Sequence, residues 1–373
     1  MNKLLKSGAD VFCISCMTSN APRGYELADM IHAKTNARVI MGGMHPTWMP
    51  DEALQHADQV ITGEGEKVIL DDVEGRITDR LVKGIPLTCL DEAPFPDYSI
   101  LKTPCEAADK ERAKEICRRM IAEKLTFKET FFFGRTDLAD DEELLQLLHD
   151  AHLTRVLIGI ESLNQQALND IHKGQNIDNI RRAAAACEKY RIRMIASIVL
   201  GLDADKKEDM DRSIEFARDI HAYQLQPAIL TPFPGTPVYE QFDEEGRMIT
   251  HEWSRFDMMN VTYMPKNMSP WELQEEFYHA ARRFYDYDSA KIIGKLFGKE
   301  YERRRRRFAF VSNLGVWGAH VSSHINNGNC YYELRHYKPG DHEMKTEQTV
   351  NKKADKRQKR RSKRSSRSRG EVA

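Results

Sequence analysis

Apolar and polar positions alternate in short blocks along the first eighty residues. Asp10 to Met17 (DVFCISCM) is a mostly apolar run of the kind that forms a buried strand. Arg23 to Thr35 is helix-like, Arg38 to Met41 is a short apolar strand ending at Gly42-Gly43, and Asp51 to His56 suggests another helix. Gln59 to Thr62 reads as a third strand before the turn Gly63-Glu64-Gly65-Glu66. The same alternation returns further along with longer helices. Asp109 to Lys124 repeats apolar positions at Ala113, Ile116, Met120 and Ile121, and strand Glu129 to Phe133 follows. Helix Asp141 to His152 precedes strand Arg155 to Ile160, helix Ile177 to Tyr190 precedes strand Arg193 to Leu200, and helix Lys207 to Tyr223 precedes strand Gln226 to Thr231. Helical character continues from Pro270 to Tyr285. Strand–helix alternation predicts parallel sheets whose ligand loops gather at the strands' carboxyl ends. About three strands are visible in front, and four βα units behind argue for a partial or complete parallel barrel.

Composition changes this picture little. Charged residues are 30% and hydrophobic residues 41% of the 373, as expected of a globular protein with room for two cores. No apolar run is long enough to span a bilayer and Met1 to Asp10 lacks a signal-type apolar stretch, so a cytoplasmic protein is expected. The net charge of -1 hides an asymmetry: Lys352 to Arg369 carries eleven Lys or Arg and one Asp, about +10. Such a tail cannot bury a core. It suits nucleic acid or an acidic membrane face, or is a solubilising extension. Arg303 to Arg307 reads as a solvated helix face.

Seven cysteines are scattered through the chain, which points to reduced thiols. Cys13 and Cys16 form a C-x2-C, but an i, i+3 pair in a strand points to opposite faces. Both are read as buried small hydrophobes.

Several ordered strings together carry a family resemblance. In front these are Asp10-Val11 through Ser15, Met41-Gly42-Gly43-Met44-His45-Pro46-Thr47, Gly63-Glu64-Gly65-Glu66 and Pro94-Phe95-Pro96-Asp97. Behind them stand the Gly159 to Leu163 stretch, Ile171-His172-Lys173-Gly174, Val199-Leu200-Gly201-Leu202 and the Pro232 to Tyr239 stretch. Over roughly residues 8 to 300 the chain resembles radical S-adenosylmethionine (SAM) enzymes with a cobalamin-binding domain. The resemblance implies an α/β fold: a truncated Rossmann-like cobalamin-binding domain, a partial TIM-type barrel and a helical C-terminal region. The expected divisions are 1–85 for the first domain, 86–104 for a Pro-rich connector, 105–250 for the barrel, 251–340 for a helical or irregular extension and 341–373 for the basic tail. It also implies three cofactors: SAM, a [4Fe-4S] cluster and cobalamin. In that family SAM is cleaved at the cluster, or re-methylates the cobalamin, to drive methyl transfer or carbon-skeleton chemistry on a small molecule.

Physical reading and resemblance together nominate two groups of residues. Gly159 lets backbone approach a ligand at a strand end, and Glu161 offers a carboxylate at the barrel rim, where ribose hydroxyls need acceptors. The resemblance places SAM there, with Ser162, Ser197, Leu200 and Thr231 completing the wall. Glu161 is otherwise a helix-capping surface acid. For cobalamin the resemblance nominates Ser15, Gly42, Gly43, Gly63 and Glu64. Gly42-Gly43 is alternatively a tight strand-to-loop turn, and Glu64 either meets the ligand or caps the next helix.

The chain departs from the family in three ways. The Asp-x-His-x-x-Gly loop is absent, and the chain begins at what resembles the third strand of the first domain. The C-x3-C-x2-C triplet that ligates the cluster is absent, although thiolates must converge on one cluster. From Lys102 the sequence passes directly to the Asp109 helix, so the first two barrel strands are expected to be missing. Exposed strand edges would then favour self-association. The alternatives are an active enzyme, a non-catalytic remnant or pseudoenzyme that binds SAM or cobalamin, the shortened product of a damaged gene, and a nucleic-acid-binding protein acting through its tail.

Overall fold

The computed structural model describes residues 7–87, 110–125, 130–170 and 176–310. Residues 88–104 of the connector, the Ile171 to Gly174 motif, Cys89, Cys105, Cys330, the stretch from His320 to Tyr337 and the basic tail lie outside the described residues.

The front part runs β1 (Val11–Ser15), α1 (Ala21–His32), β2 (Arg38–Gly42), α2 (Met44–Trp48), α3 (Pro50–Ala53), β3 (Gln59–Thr62), α4 (Ile69–Val73) and β4 (Leu81–Lys83). The strands form one parallel sheet in the order β1-β2-β3-β4. On one face Val39, Met41 and Val60 pack with Ala21, Tyr25, Ala28 and Ile31 of α1. On the other, Ile40, Ile61 and Val82 meet Val68 and Ile69. Covering both faces of a parallel sheet accounts for its unbroken apolar strands.

Three details differ from the sequence reading. β4 is a fourth strand, too short to show periodicity. The helix expected at Asp51 to His56 is the shorter Pro50–Ala53, with Pro50 at its first turn, and a separate short helix, Met44–Trp48, precedes it. Cys13 is exposed rather than buried, because β1 is an edge strand and its Cys13–Ser15 face is open to solvent. Cys16 is buried as expected.

The second part runs α5 (Lys110–Ala122), β5 (Phe132–Gly134), α6 (Glu142–Asp150), β6 (Arg155–Glu161), α7 (Gln165–Asp170), α8 (Ile177–Lys189), β7 (Arg193–Leu200), α9 (Lys207–Asp219), β8 (Gln224–Ile229), α10 (Pro237–Glu244), α11 (Pro270–Phe284) and α12 (Tyr287–Phe297), with residues 299–310 again helical. Its four strands form a parallel sheet in the order β5-β6-β7-β8. Val156, Ile158, Ile160, Met194, Ala196, Ile198, Leu225 and Ile229 are buried along one face. Helices supply the cover: α8, for example, buries Ile180, Ala183, Ala184 and Cys187 at helical spacing. The opposite face, with Phe133, Leu157, Gly159, Ser197, Val199 and Gln226, remains partly exposed. β8 starts two residues earlier than expected and contains Pro227, which an edge strand tolerates.

Helix starts follow side-chain caps. Asp141 accepts from Leu144 N at 3.0 Å, Asn176 from Asn179 N at 2.9 Å and Asp286 from Ser289 N at 2.7 Å. Ser269 and Glu272 form a reciprocal capping box before α11. Helix ends are less conventional. Lys124, His152, Arg191 and His221 follow α5, α6, α8 and α9 at φ 52°, 60°, 56° and 56°. In each case the next amide donates five residues back: Leu125 to Met120 O, Leu153 to Leu148 O, Ile192 to Cys187 O and Ala222 to Ala217 O. This is the Schellman closure, usually made by glycine. Non-glycine residues at these ends explain why the sequence reading overran them.

Arg305 corrects the expectation of a solvated basic run. It is 1% exposed and stacks on Phe284 with its guanidinium 4.1 Å from the ring centroid. It donates to Ala222 O at 2.8 Å, Tyr223 O at 2.5 Å, Phe284 O at 3.3 Å and Ser289 Oγ at 3.2 Å. Burial pushes it down to about 10. One guanidinium thus ties the chain ends after α9 and α11 to α12, as a planar fork of five donors allows.

Two stability outcomes follow. Arg191→Gly relieves a left-handed conformation at an exposed position and should stabilise by roughly 0.5–1 kcal/mol; a destabilised variant in urea would contradict the Schellman assignment. Arg305→Ala strands several buried carbonyls and should cost roughly 2–4 kcal/mol; an unchanged urea midpoint would remove its tethering role.

Candidate functional site

The carboxyl ends of the front strands are laced together by backbone bonds. Cys16 N donates to Gly42 O at 2.9 Å, His45 N to Cys16 O at 3.1 Å and Gly84 N to Thr62 O at 2.7 Å. Ser15 is exposed at the end of β1, in register with Gly42. Gly43 has φ 94°, and a β-carbon there would lie 2.6 Å from Ser15 Oγ and 2.9 Å from Cys16 N and O. Its immediate need for glycine is therefore contact between the β1 and β2 loops. Gly63 N donates to Thr47 Oγ1 at 3.0 Å. Glu64 Oε2 accepts from Leu87 N at 2.6 Å.

In the second sheet, Gly159 is in register with Ser197, and Ser197 with Gln226. These three form a transverse row on the partly exposed face, and Gln226 was not among the expected residues. Its signal was the polar alternation of Gln224 and Gln226. The register slips by one residue at the strand end, where Glu161 rather than Ile160 pairs with Ile198. Bulges of this kind re-aim a side chain at strand ends. Glu161 has φ 64°, and Ser162 N folds back to Ile160 O at 3.0 Å. An i→i+2 bond around a positive central φ is the rare, strained form of γ-turn.

The remaining expected residues take other positions. Ser162 is 2% exposed; Oγ donates to Asp205 Oδ1 at 2.8 Å and accepts from Asn164 N at 3.0 Å. The Leu200 side chain is fully buried, and its carbonyl accepts from Leu230 N at 3.0 Å. Thr231 Oγ1 donates to Ile229 O at 3.0 Å.

The two rims meet. A β-carbon on Gly235, which has φ 80°, would run into the Trp48 ring. Glu52 accepts from Trp253 Nε1 with both oxygens, at 3.0 and 3.1 Å. His45 is buried against the edge of Trp253, ring centroids 5.1 Å apart, with Glu52 Oε1 3.8 Å from Nε2. Burial holds His45 below its ordinary value despite the opposing pull of Glu52.

The described cysteines do not converge. Cys13 is in β1, Cys16 follows it, Cys117 is in α5 and Cys187 in α8. Burial pushes Cys187 up to about 12, where it is a thiol rather than a ligand thiolate. Among the described residues no group of three or more His, Cys, Asp or Glu could hold a metal ion. These thiols do not fit an iron–sulfur cluster.

Comparison with known proteins agrees with both halves. Residues 1–71 match the B12 binding domain and residues 103–217 the radical SAM superfamily. The chain carries a B12-binding domain followed by a radical SAM domain. Together these imply SAM, cobalamin and an iron–sulfur cluster as cofactors. The chain is 24% identical to the bacteriochlorophyllide d C-12(1)-methyltransferase of Chlorobaculum tepidum, over 79% of this chain and 78% of that protein. It is also 24% identical to the C-8(2)-methyltransferase of the same organism, over 70% of this chain and 74% of that protein. The fold is similar to that of the radical SAM methyltransferase TsrM from Kitasatospora setae, with a TM-score of 0.56 and 11% identity over 85% of this chain and 90% of that one. The cobalamin-dependent enzyme OxsB gives 0.58 and 12%, over 85% and 64%. No helix among the described residues is long and apolar enough to cross a membrane.

Asp205 offers a titration with a definite sign. It is 1% exposed, and burial, with Asp209 adding to it, pushes its carboxyl up to about 6 against the Ser162 and Leu202 hydrogen bonds. The folded chain therefore takes up a proton between the ordinary value of 3.8 and about 6, and stability from this group falls as pH rises through that window. Between pH 4 and 7, Asp205→Asn should gain roughly 3 kcal/mol relative to the unaltered chain. Urea midpoints compared at the two pH values check this, and a pH-independent gap would contradict it.

Proposed function

We propose that this chain binds SAM at the rim of β6–β8 and cobalamin over the carboxyl ends of β1–β3, and does not by itself assemble the cluster that cleaves SAM. The observation that supports it best is Glu161, a strained acidic residue fixed where a parallel sheet presents ligands. In this reading Glu161 takes the ribose hydroxyls, and the Gly159–Ser197–Gln226 row floors the pocket. SAM would supply an activated methyl group there. The chain's own residues would bind and orient it, with no side chain acting as acid, base or nucleophile. On the front rim, Ser15, Gly42 and Gly63 leave backbone accessible to a large flat ligand. The dispersal of the four described thiols, together with the absence of C-x3-C-x2-C from the sequence, favours a ligand-binding pseudoenzyme descended from methyltransferases over an active enzyme. Self-association through the edge strands β1 and β5 belongs to the same reading.

The test combines calorimetric SAM titration with iron and acid-labile sulfide after anaerobic reconstitution. Saturable SAM binding, weakened at least tenfold by Glu161→Ala, with only background iron, is expected. Near-stoichiometric cluster would restore the enzyme reading, and unchanged SAM affinity in Glu161→Ala would remove the SAM site.

A further inference from the structure

The buried acid beside the β6 rim is unexplained by packing. Asp205 precedes α9, and a carboxylate so enclosed is costly unless something requires it. Oδ1 receives the Ser162 hydroxyl, whereas Oδ2 is buried with no hydrogen-bond partner. An apolar or amide side chain would fill this space at lower cost in desolvation. The acid's single strong contact is therefore the informative one.

That contact leads to the strained turn. Ser162 follows Glu161, and its amide is already turned back to Ile160 O. Its hydroxyl is oriented at both ends, donating to Asp205 and accepting from Asn164 N. The loop is then pinned residue by residue. Leu163 N donates to Ser213 Oγ at 3.0 Å, and Asn164 Nδ2 to Ala204 O at 3.0 Å and Asp209 Oδ2 at 3.2 Å. Asp205 is held in turn. Its amide donates to Leu202 O at 2.8 Å, and its carbonyl accepts from Asn267 Nδ2 at 3.3 Å. Neighbouring Asp203 is clamped by Arg247 at 2.5 Å and Lys266 at 2.8 Å. Tyr263 OH also donates to Gly201 O. The Ser162 hydroxyl thus joins the loop after β6 to the loop after β7, and a distant segment, through Arg247, Tyr263, Lys266 and Asn267, braces the second of these loops.

Backbone strain persists only where surrounding structure over-determines it. Removing the Ser162 anchor should therefore let the Glu161 turn relax toward an ordinary extended conformation. We propose that Asp205 is a positioning residue for SAM, acting through the Ser162 hydroxyl to hold Glu161 in its strained, ligand-ready turn. This rests on the SAM reading above and adds a residue that makes no contact with the ligand itself.

The experiment measures SAM affinity by calorimetry, with the full chain, for the unaltered protein, Asp205→Ala, Ser162→Ala, the double variant and Asp205→Asn. Cobalamin affinity, which reports the separate front rim, is measured beside it. Each alanine variant should weaken SAM roughly 10- to 100-fold while cobalamin affinity holds. The double variant should lose no more than the worse single one, since both act through one hydrogen bond. Asp205→Asn, which keeps an acceptor for Ser162, should restore SAM affinity to within about threefold. Additive losses, an asparagine variant as weak as alanine, or a parallel fall in cobalamin affinity would each overturn the inference. Loss of SAM in Glu161→Ala but not in Asp205→Ala would overturn it while sparing the SAM site. Failure of the unaltered chain to bind SAM would remove both.

Discussion

Parallel pairing is the constraint on which the rest of this molecule depends. A parallel strand cannot return through a tight turn, so each must be followed by a crossover that brings the chain back to the starting edge. Both sheets obey this from first strand to last. Every strand therefore releases its following loop at the same edge, and candidate ligand residues collect there without any residue selecting that edge. The crossover helices bury one face of the second sheet with Val156, Ile158, Met194 and Ile198. The other face is left partly open, which is where the Gly159–Ser197–Gln226 row lies.

The two rims solve the positioning problem differently. The front rim relies on backbone closeness, with Gly43 at φ 94° against Cys16. The rear rim relies on a residue that pays a conformational penalty: Glu161 occupies a left-handed conformation that glycine would adopt freely. Lys124, His152, Arg191 and His221 share that conformation, but they close helices with a repeated hydrogen-bond pattern. Glu161 ends a strand, and no helix closure explains it. Its side chain is the feature a glycine could not supply.

Most of the architecture was legible because parallel strands and amphipathic helices imprint strong periodicities. β3 and β7 match their expected spans, Gln59–Thr62 and Arg193–Leu200. Helix ends were less legible, since αL positions held by Lys, His and Arg carry no glycine signal. Burial of single charged residues was also hidden. Arg305 lies within five consecutive arginines, and nothing local separates the one that points inward from four others. Asp205 was hidden likewise, among Asp203 and Asp209, because its partner Ser162 is 43 residues away. Glu161 was legible through its motif, whereas the strain at its backbone was not.

The relation between the two rims rests on a small contact outside every expected ligand. Residues 52 and 253 are joined by an indole N–H shared between two carboxylate oxygens. His45 is buried beside that pair, and neither ring nitrogen makes a hydrogen bond. Its neutral form is favoured by burial, so it contributes as an aromatic surface against Trp253. Trp48, only five residues beyond Gly43, packs on Gly235 within the proline-rich loop after β8. A loop anchored by Pro232, Pro234 and Pro237 has few accessible conformations, so contact at Gly235 transmits position with little slack. The stiff loop and the seam therefore fix how one set of strand ends faces the other. The placement of the two sets of candidate residues then depends on residues 230–256 as much as on the strands that carry them.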